Sequence, residues 1–380
     1  MLHPFISSTI GFTYKKLLKP FFFARDPEDV HDRMTRLGEF LGRHAWSRAV
    51  TRRLFCYRHP ALEQTISSIR FENPIGLSAG FDKDAKLLQI LPAVGFGFME
   101  AGSVTLHPYA GNPRPRLARL PQSQALMVYY GLKNEGVRKI IQRIQSYPPS
   151  PTSARAFPLG VSIAKTNSLA TCEMRAGVED YSACCAELLR QQVGNFYTIN
   201  ISCPNTFGGE PFTSPEKLDA LLEAIFTLRP QKPIFIKMPI NMEWGQFRVL
   251  LDVILRYSVR GVVIGNLNKN HADPAVRDPL PAGMKGGISG KPTWILSNEL
   301  ISRTYRYCGD RLIIIGVGGV FSARDAYEKI KRGASLVQLI TGMIYEGPQL
   351  VGQINRGLVR LLRADGLQNI SEAMGRYHRS

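Results

Sequence analysis

Phe196-Tyr197-Thr198-Ile199-Asn200-Ile201-Ser202-Cys203-Pro204-Asn205 is the stretch that decides the fold. Its first half is a short apolar, β-branched and aromatic run that suits a buried strand. Its second half turns polar and meets a proline, so the strand stops where chemically able side chains begin. The same grammar recurs. Strands are read at Pro74–Gly80, Phe96–Val104, Pro158–Ala164, Phe196–Ser202, Ile234–Met238, Gly261–Asn266, Leu312–Gly318 and Leu336–Thr341. Helical stretches follow them, among them Glu179–Val193, Ser214–Leu228, Glu243–Ser258 and Ser322–Lys331. Eight strand–helix units predict an α/β fold, a closed (β/α)8 TIM barrel rather than an open doubly wound sheet. Ser146–Pro158, rich in Pro and Ser, reads as a loop.

Residues 1–60 break this rhythm and predict a small N-terminal helical extension, which leaves 61–380 to the barrel. Tyr14-Lys15-Lys16-Leu17-Leu18-Lys19-Pro20 is basic, and Phe21-Phe22-Phe23 follows at once. Asp26 suits a helix cap, Pro27 the first helical position, and Glu28 and Asp29 the positive helix end. Val30, Met34, Leu37 and Leu41 recur at helical spacing among several arginines. The combination suits helices lying in a membrane interface; helices packed as a cap on the barrel are the plainer alternative.

Of 380 residues, 44% are hydrophobic and 21% charged, which is a globular composition rather than a disordered one. The formal charge of +18 suits a solvated basic surface, anionic lipid headgroups or an anionic substrate. No nucleic-acid recognition motif accompanies it. The six cysteines form no CxxC pair and no metal-ligand spacing, so no metal site and a reduced, intracellular setting are expected. No run of 18 apolar residues is present to span a bilayer, and no secretory signal pattern opens the chain.

In such a barrel the chemistry sits at the carboxyl ends of the strands. Those ends carry Ser78-Ala79-Gly80-Phe81-Asp82-Lys83, Gly102-Ser103, Ser162-Ile163-Ala164-Lys165, Asn200 to Thr206, Lys237, Asn266, Gly318-Gly319 and Thr341-Gly342. Gly318, Gly319, Thr341 and Gly342 suit a phosphate site after the last two strands, or tight turns that need glycine. Lys237 rises from apolar neighbours and is costly there unless paired. A negative charge developing on a reduced flavin is one partner for it, a barrel carboxylate the other. Cys203, at the mouth, reads either as a base, its thiol needing only modest perturbation near neutral pH, or as a small buried hydrophobe.

Four stretches together resemble the dihydroorotate dehydrogenase family: Asn73 to Lys83, Asn200 to Thr206, Gly286-Gly287-Ile288-Ser289-Gly290-Lys291-Pro292, and Ile315 to Val320. The similarity runs from about residue 4 to residue 360, and the N-terminal extension is similar to that of the membrane-associated, quinone-reducing class. The resemblance implies flavin mononucleotide (FMN), with Ala79, Gly80, Ser103, Ser162 and Asn200 near its ring and Lys237 supporting its reduced form. Gly287, Gly318, Gly319, Thr341 and Gly342 then hold its phosphate. Lys83, Asn200, Asn205 and Asn266 match the family's substrate contacts, and Cys203 falls on its base. The implied reaction takes a proton and a hydride from adjacent carbons of dihydroorotate and delivers the electrons to a quinone. His31 and Arg119 resemble residues near the quinone's access route. Residues 1–60 become the membrane and quinone-access element, 61–380 the FMN-binding barrel, and the expected location is peripheral, on the cytoplasmic face of the inner membrane if the source is bacterial.

The chain departs from the family pattern at several places. Cys203 stands where the quinone-linked class usually carries serine. Val128 falls on an asparagine, Leu267 on a threonine after Asn266, Gly265 on a threonine before it, and Ser162 on a flavin-contacting asparagine. A buried hydrogen bond lost on the substrate side costs about 1–3 kcal/mol. Either neighbours compensate, with Asn134 the candidate amide if its loop shifts, or the substrate is a different small ring acted on by a paralogous FMN oxidoreductase. A non-catalytic flavin-binding protein and a flavin-free sugar-phosphate enzyme are the remaining readings.

Overall fold

A computed structural model describes residues 9–147 and 157–379; residues 148–156, most of the expected Ser146–Pro158 loop, lie outside them. Eight parallel strands close into a barrel in the order β10-β12-β13-β3-β4-β7-β8-β9. They are β3 (Ile75–Leu77), β4 (Phe98–Val104), β7 (Leu159–Ile163), β8 (Phe196–Asn200), β9 (Ile234–Met238), β10 (Gly261–Ile264), β12 (Ile313–Val317) and β13 (Leu336–Leu339). Every strand expected from the sequence is present. Where an expected carboxyl end overruns the true one, the extra residues belong to the segment at the mouth: Ser202 stands in the loop after β8, and Thr341 opens the helix Thr341–Glu346.

Side chains two apart on a strand share a face, and this builds the barrel in layers. Phe98, Phe196, Phe235, Val263, Ile315 and Leu336 form the floor. A hairpin of β1 (Gln64–Ile66) and β2 (Ile69–Phe71) lies below it, and Phe71 meets Phe98 edge-on at 5.4 Å. Two residues further along the strands come Glu100, Thr198, Lys237 and Gln338, all buried. The interior thus changes from aromatic to polar as it nears the mouth.

A second sheet stands over that mouth. The strands β5 (Leu117–Leu120), β6 (Ala125–Val128) and β11 (Gly287–Gly290) pair antiparallel in the order β11-β6-β5. They join the excursion after β4 to the one after β10.

The N-terminal helices span Lys19–Phe23, Pro27–Arg43 and Ala45–Phe55. Asp26 caps the second as expected, accepting from the Glu28 and Asp29 backbone N–H groups at 2.9 and 3.0 Å. This helix turns only part of its apolar stripe to the barrel, with Leu41 packed against the core. Glu28, Thr35 and Gly42 are buried, while Leu37 and Phe40 remain 46% and 54% exposed. Glu28 anchors it: Arg116 Nη2 donates to the carboxylate at 2.6 Å and Lys133 Nζ at 3.1 Å, and Arg114 adds an ion pair at 3.2 Å. Among the described residues no helix is long and apolar enough to cross a membrane.

Candidate active site

Two adjoining cavities open at the strand ends. The larger, of about 920 Å³, is lined by Ala79, Gly80, Lys83, Ser103, Asn200, Cys203, Asn205 and Asn266, together with Val128, Tyr130 and Leu267. The smaller, of about 530 Å³, is lined by Gly290, Thr293, Gly318, Gly319, Thr341 and Gly342. Lys237, Asn266, Leu267, Ser289 and Thr341 line both. The structure therefore brings the residues expected for substrate, cofactor ring and phosphate around one continuous space.

Two expected cofactor contacts stand elsewhere. Ser162 lies behind the wall, with its hydroxyl 2.8 Å from that of Ser103, so it holds Ser103 rather than facing the cavity. Gly287 lines neither cavity. A Cβ there would sit 2.5 Å from Leu267 Cβ, so this glycine lets Leu267 pack against β11. Ser289 and Gly290, two and three residues on, face the cavities instead. Both belong to the Gly286–Pro292 motif, in which nothing local marks them apart from Gly287. Ser289 Oγ lies 2.8 Å from Thr341 Oγ1, which ties the second sheet to the cradle.

The smaller cavity has the shape of a phosphate cradle. Gly318 holds a φ of +112°, and a Cβ there would lie 2.6 Å from Thr293 Oγ1. The backbone can approach an anion here only because no side chain intervenes.

At the junction, the Lys237 ammonium is buried and makes no hydrogen bond or ion pair with the described residues. Burial pushes its pKa down, opposed by Glu100 and Cys203. The carboxylate expected as an alternative partner does not take it, because Glu100 accepts from Thr198 Oγ1 and, at 2.6 Å, from Gln338 Nε2. A buried, unpaired ammonium beside a cradle that a Cβ would fill fits a phosphorylated cofactor with an electron-rich ring.

Asn200 Nδ2 donates to Ser103 Oγ at 2.8 Å, and Asn266 Nδ2 donates to the Ser202 carbonyl at 2.7 Å. Asn205 Nδ2 donates to the Val128 carbonyl at 2.8 Å. Three amides are thus oriented before any ligand arrives. Asn134 is not a fourth. Its amide donates to Thr105 Oγ1 at 2.7 Å and to the Leu132 carbonyl at 2.9 Å, and its oxygen accepts from the Gly136 N–H at 2.8 Å. It braces the loop beside Val128 and compensates for nothing in the cavity.

Burial pushes the Cys203 thiol up to about 11, against a hydrogen bond from the Asn205 backbone N–H and the pull of Lys237 and Lys165. The modest perturbation expected for a base near neutral pH is therefore reversed. Lys83 is lowered to about 8, first by burial and then by Lys133, and its ammonium stands 4.1 Å above the Tyr130 ring.

A third cavity, of about 830 Å³, runs from this site to the N-terminal helices between Phe22, Phe23, Val30, Met34, Leu117, Arg119 and Ile344. His31, Phe81, Leu117, Leu126 and Ile344 line it and the substrate cavity together. His31 is not a surface residue: its Nε2 lies 2.9 Å from the Phe81 carbonyl. Burial and the nearby Lys83 lower its pKa.

A cradle, an unpaired ammonium and a thiol on one mouth, with an apolar second entrance, define a barrel oxidoreductase with a phosphorylated electron-accepting cofactor. The family model described as "Dihydroorotate dehydrogenase" matches residues 61–362. A curated relative from Trichodesmium erythraeum, "Dihydroorotate dehydrogenase (quinone)", is 34% identical over 378 residues, covering 95% of this chain and 98% of its own. One of the same name from Mycobacterium sp. (strain KMS) is 36% identical, covering 94% and 97%. The crystal structure of DHODH from Eimeria tenella in complex with ferulenol superposes with a TM-score of 0.84 at 26% identity, over 93% of this chain and 96% of that one. The chain belongs to the dihydroorotate dehydrogenase family.

Proposed function

We infer that this protein oxidises dihydroorotate to orotate with FMN as its cofactor and a quinone as electron acceptor, the reaction named for its curated relatives. The observation that carries the reading is the Lys237 ammonium, left unpaired where the phosphate cradle, the amide-lined cavity and the route to the N-terminal helices converge. FMN supplies a two-electron acceptor for the substrate's hydride.

The chain's own residues do the rest. Gly318, Gly319, Thr341, Gly342 and Ser289 would hold the phosphate, and Ala79, Gly80 and Ser103 would flank the ring. Lys237 stabilises negative charge there. Lys83 pairs with the substrate carboxylate. Asn200, Asn205 and Asn266 orient the substrate ring, already fixed by their bonds to Ser103, Val128 and Ser202. Cys203, as thiolate, takes the proton from the carbon beside the one that loses hydride. His31, Phe81 and Arg119 guide the quinone through the apolar cavity.

Val128 and Leu267 support a second reading, a related ring acid with a less polar edge, because Asn134 is bound elsewhere. Steady-state assay with a quinone analogue separates the two. Orotate formation that requires quinone supports the first; failure with dihydroorotate in a flavin-bearing protein supports the second.

The N-terminal helices we place on a membrane surface, the cytoplasmic face of the inner membrane in a bacterium. Phe12, Leu17, Phe21, Phe40, Trp46 and Val50 are each at least half exposed, amid arginines and lysines. An exposed apolar face with a basic flank suits an interfacial helix. Deletion of residues 1–45 then releases the protein into the soluble fraction and lowers quinone reduction; unaltered partitioning contradicts this.

A further inference from the structure

Lys329 is fully buried on the helix Ala323–Lys331, outside both cavities. Its ammonium donates to Ser297 Oγ and Asn298 Oδ1, each at 2.9 Å, and no carboxylate forms an ion pair with it among the described residues. Both acceptors are neutral. A buried charge with no carboxylate in direct contact is an expensive arrangement.

The two acceptors lie against the phosphate cradle. Ser297 Oγ donates to the Val317 carbonyl at 2.5 Å, and Val317 lines the cradle. A Cβ on Gly318 would lie 3.5 Å from Ser297 Cβ. The ammonium therefore stands one serine behind the cradle glycine. Gly316, whose added Cβ would meet Lys329 Cδ at 3.2 Å, keeps the side chain pressed against β12.

We propose that Lys329 is the proton-linked countercharge of the cofactor phosphate: when the phosphate enters the cradle, Lys329 takes a proton from solvent and holds it while the cofactor stays. This rests on the FMN reading above. Burial lowers the lysine to about 7, so at pH 7–9 much of it is available to be protonated. Charged groups around it are Asp325 and Glu328, which favour its charge, and Arg332 and Lys291, which oppose it. Asp325 is committed to Lys291 Nζ at 3.1 Å and to the Ser322 hydroxyl at 3.0 Å. The helix Trp294–Cys308 offers it only Ser297 and Asn298.

The phosphate's own second ionisation lies at about 6, so above pH 7 it stays a dianion and adds no proton traffic. One proton bound with the cofactor makes its dissociation constant rise by nearly tenfold per pH unit. The test dilutes FMN-loaded protein at pH 7, 8 and 9 and reads released flavin by its fluorescence at equilibrium. It repeats this with riboflavin exchanged into the same protein and with Lys329→Met. We expect the steep rise for FMN, a shallower one for riboflavin, which lacks phosphate, and a shallower one for FMN in Lys329→Met with weaker binding at pH 7. Riboflavin also removes any contribution of Lys237, which acts at the ring in both ligands. Equal slopes for FMN and riboflavin overturn the proposal, and that comparison stands on the unaltered protein if Lys329→Met does not fold. An unchanged slope in a folded Lys329→Met overturns it too. A purified protein without FMN overturns the function proposed above, and this inference with it.

Discussion

Lys237 and Glu100 occupy the same layer of the barrel interior, and the carboxylate is bound by Thr198 and Gln338 instead of by the lysine. The ammonium is thus held for something the polypeptide does not supply. Replacing a buried unpaired charge by an apolar chain of similar length is commonly neutral or stabilising. Lys237→Met is therefore expected to leave the melting temperature of the flavin-free protein unchanged or raised by a few degrees. The same change lowers flavin retention and slows flavin reduction by about 10²-fold or more, the scale of losing one electrostatic stabiliser. A fall in melting temperature of the flavin-free protein contradicts an unpaired Lys237.

Cys203 has its thiol pushed up to about 11. A raised thiol pKa leaves little thiolate at neutral pH, and the thiolate fraction grows about tenfold per pH unit below that value. The rate of flavin reduction at saturating dihydroorotate, where loss of the Lys83 charge near pH 8 does not limit binding, is expected to climb from pH 7 to 9 with nearly that slope. Cys203→Ala is expected to lose about 10²–10⁴-fold, the usual worth of a positioned base. A flat stopped-flow profile, or a Cys203→Ala rate within threefold of the parent, contradicts its role.

His31 sits where the substrate and apolar cavities meet, edge-on to Phe81 with ring centroids 4.9 Å apart. Burial and Lys83 lower its pKa from the ordinary histidine value, which favours the neutral ring. His31→Leu is expected to raise KM for the quinone analogue several-fold while dihydroorotate still bleaches the flavin at the parent rate. Equal loss in both half-reactions contradicts a role on the acceptor side alone.

Glu28 fastens the N-terminal helices. Burial opposes its charge, but hydrogen bonds from Arg116 and Lys133 outweigh it and hold the carboxyl below its usual range. A folded-state pKa below the unfolded one gives stability that is present above the unfolded value and lost as pH falls through the folded one. Glu28→Gln is expected to cost about 3–5 kcal/mol at pH 7, as for a broken buried ion pair. The difference from the parent should shrink as the pH drops below the carboxylate range. Urea unfolding at pH 7 and pH 3 checks both; a loss under about 0.5 kcal/mol at pH 7 contradicts the anchor.

The barrel was legible because its signal is local. Ile234–Met238 is read with both ends right, and the strand read as Phe196–Ser202 starts where it should and ends at Asn200; both come from short apolar runs with a polar residue near the end that announces the site. The antiparallel sheet was not legible. β11 pairs with β6, Gly287 opposite Val128, across a long stretch of chain, and four-residue strands carry no period strong enough to mark them. Ser162 and Gly287 were misplaced for a related reason. Both are at strands that border the mouth, but which of two neighbours faces the cavity depends on register and packing. Asn134 looked free because its bonds to Thr105, 29 residues away, are tertiary, and they complete a network that its local bonds to Leu132 and Gly136 begin. The direction of the Cys203 shift depends on burial, which residue identity alone does not reveal.

One anaerobic measurement tests the proposed reaction most directly. Purified protein is mixed with dihydroorotate in a single turnover, and flavin absorbance is followed before and after a quinone analogue is added. Bleaching with one orotate formed per flavin, then return of colour on adding quinone, is the predicted result. Flavin that keeps its colour under saturating dihydroorotate contradicts it.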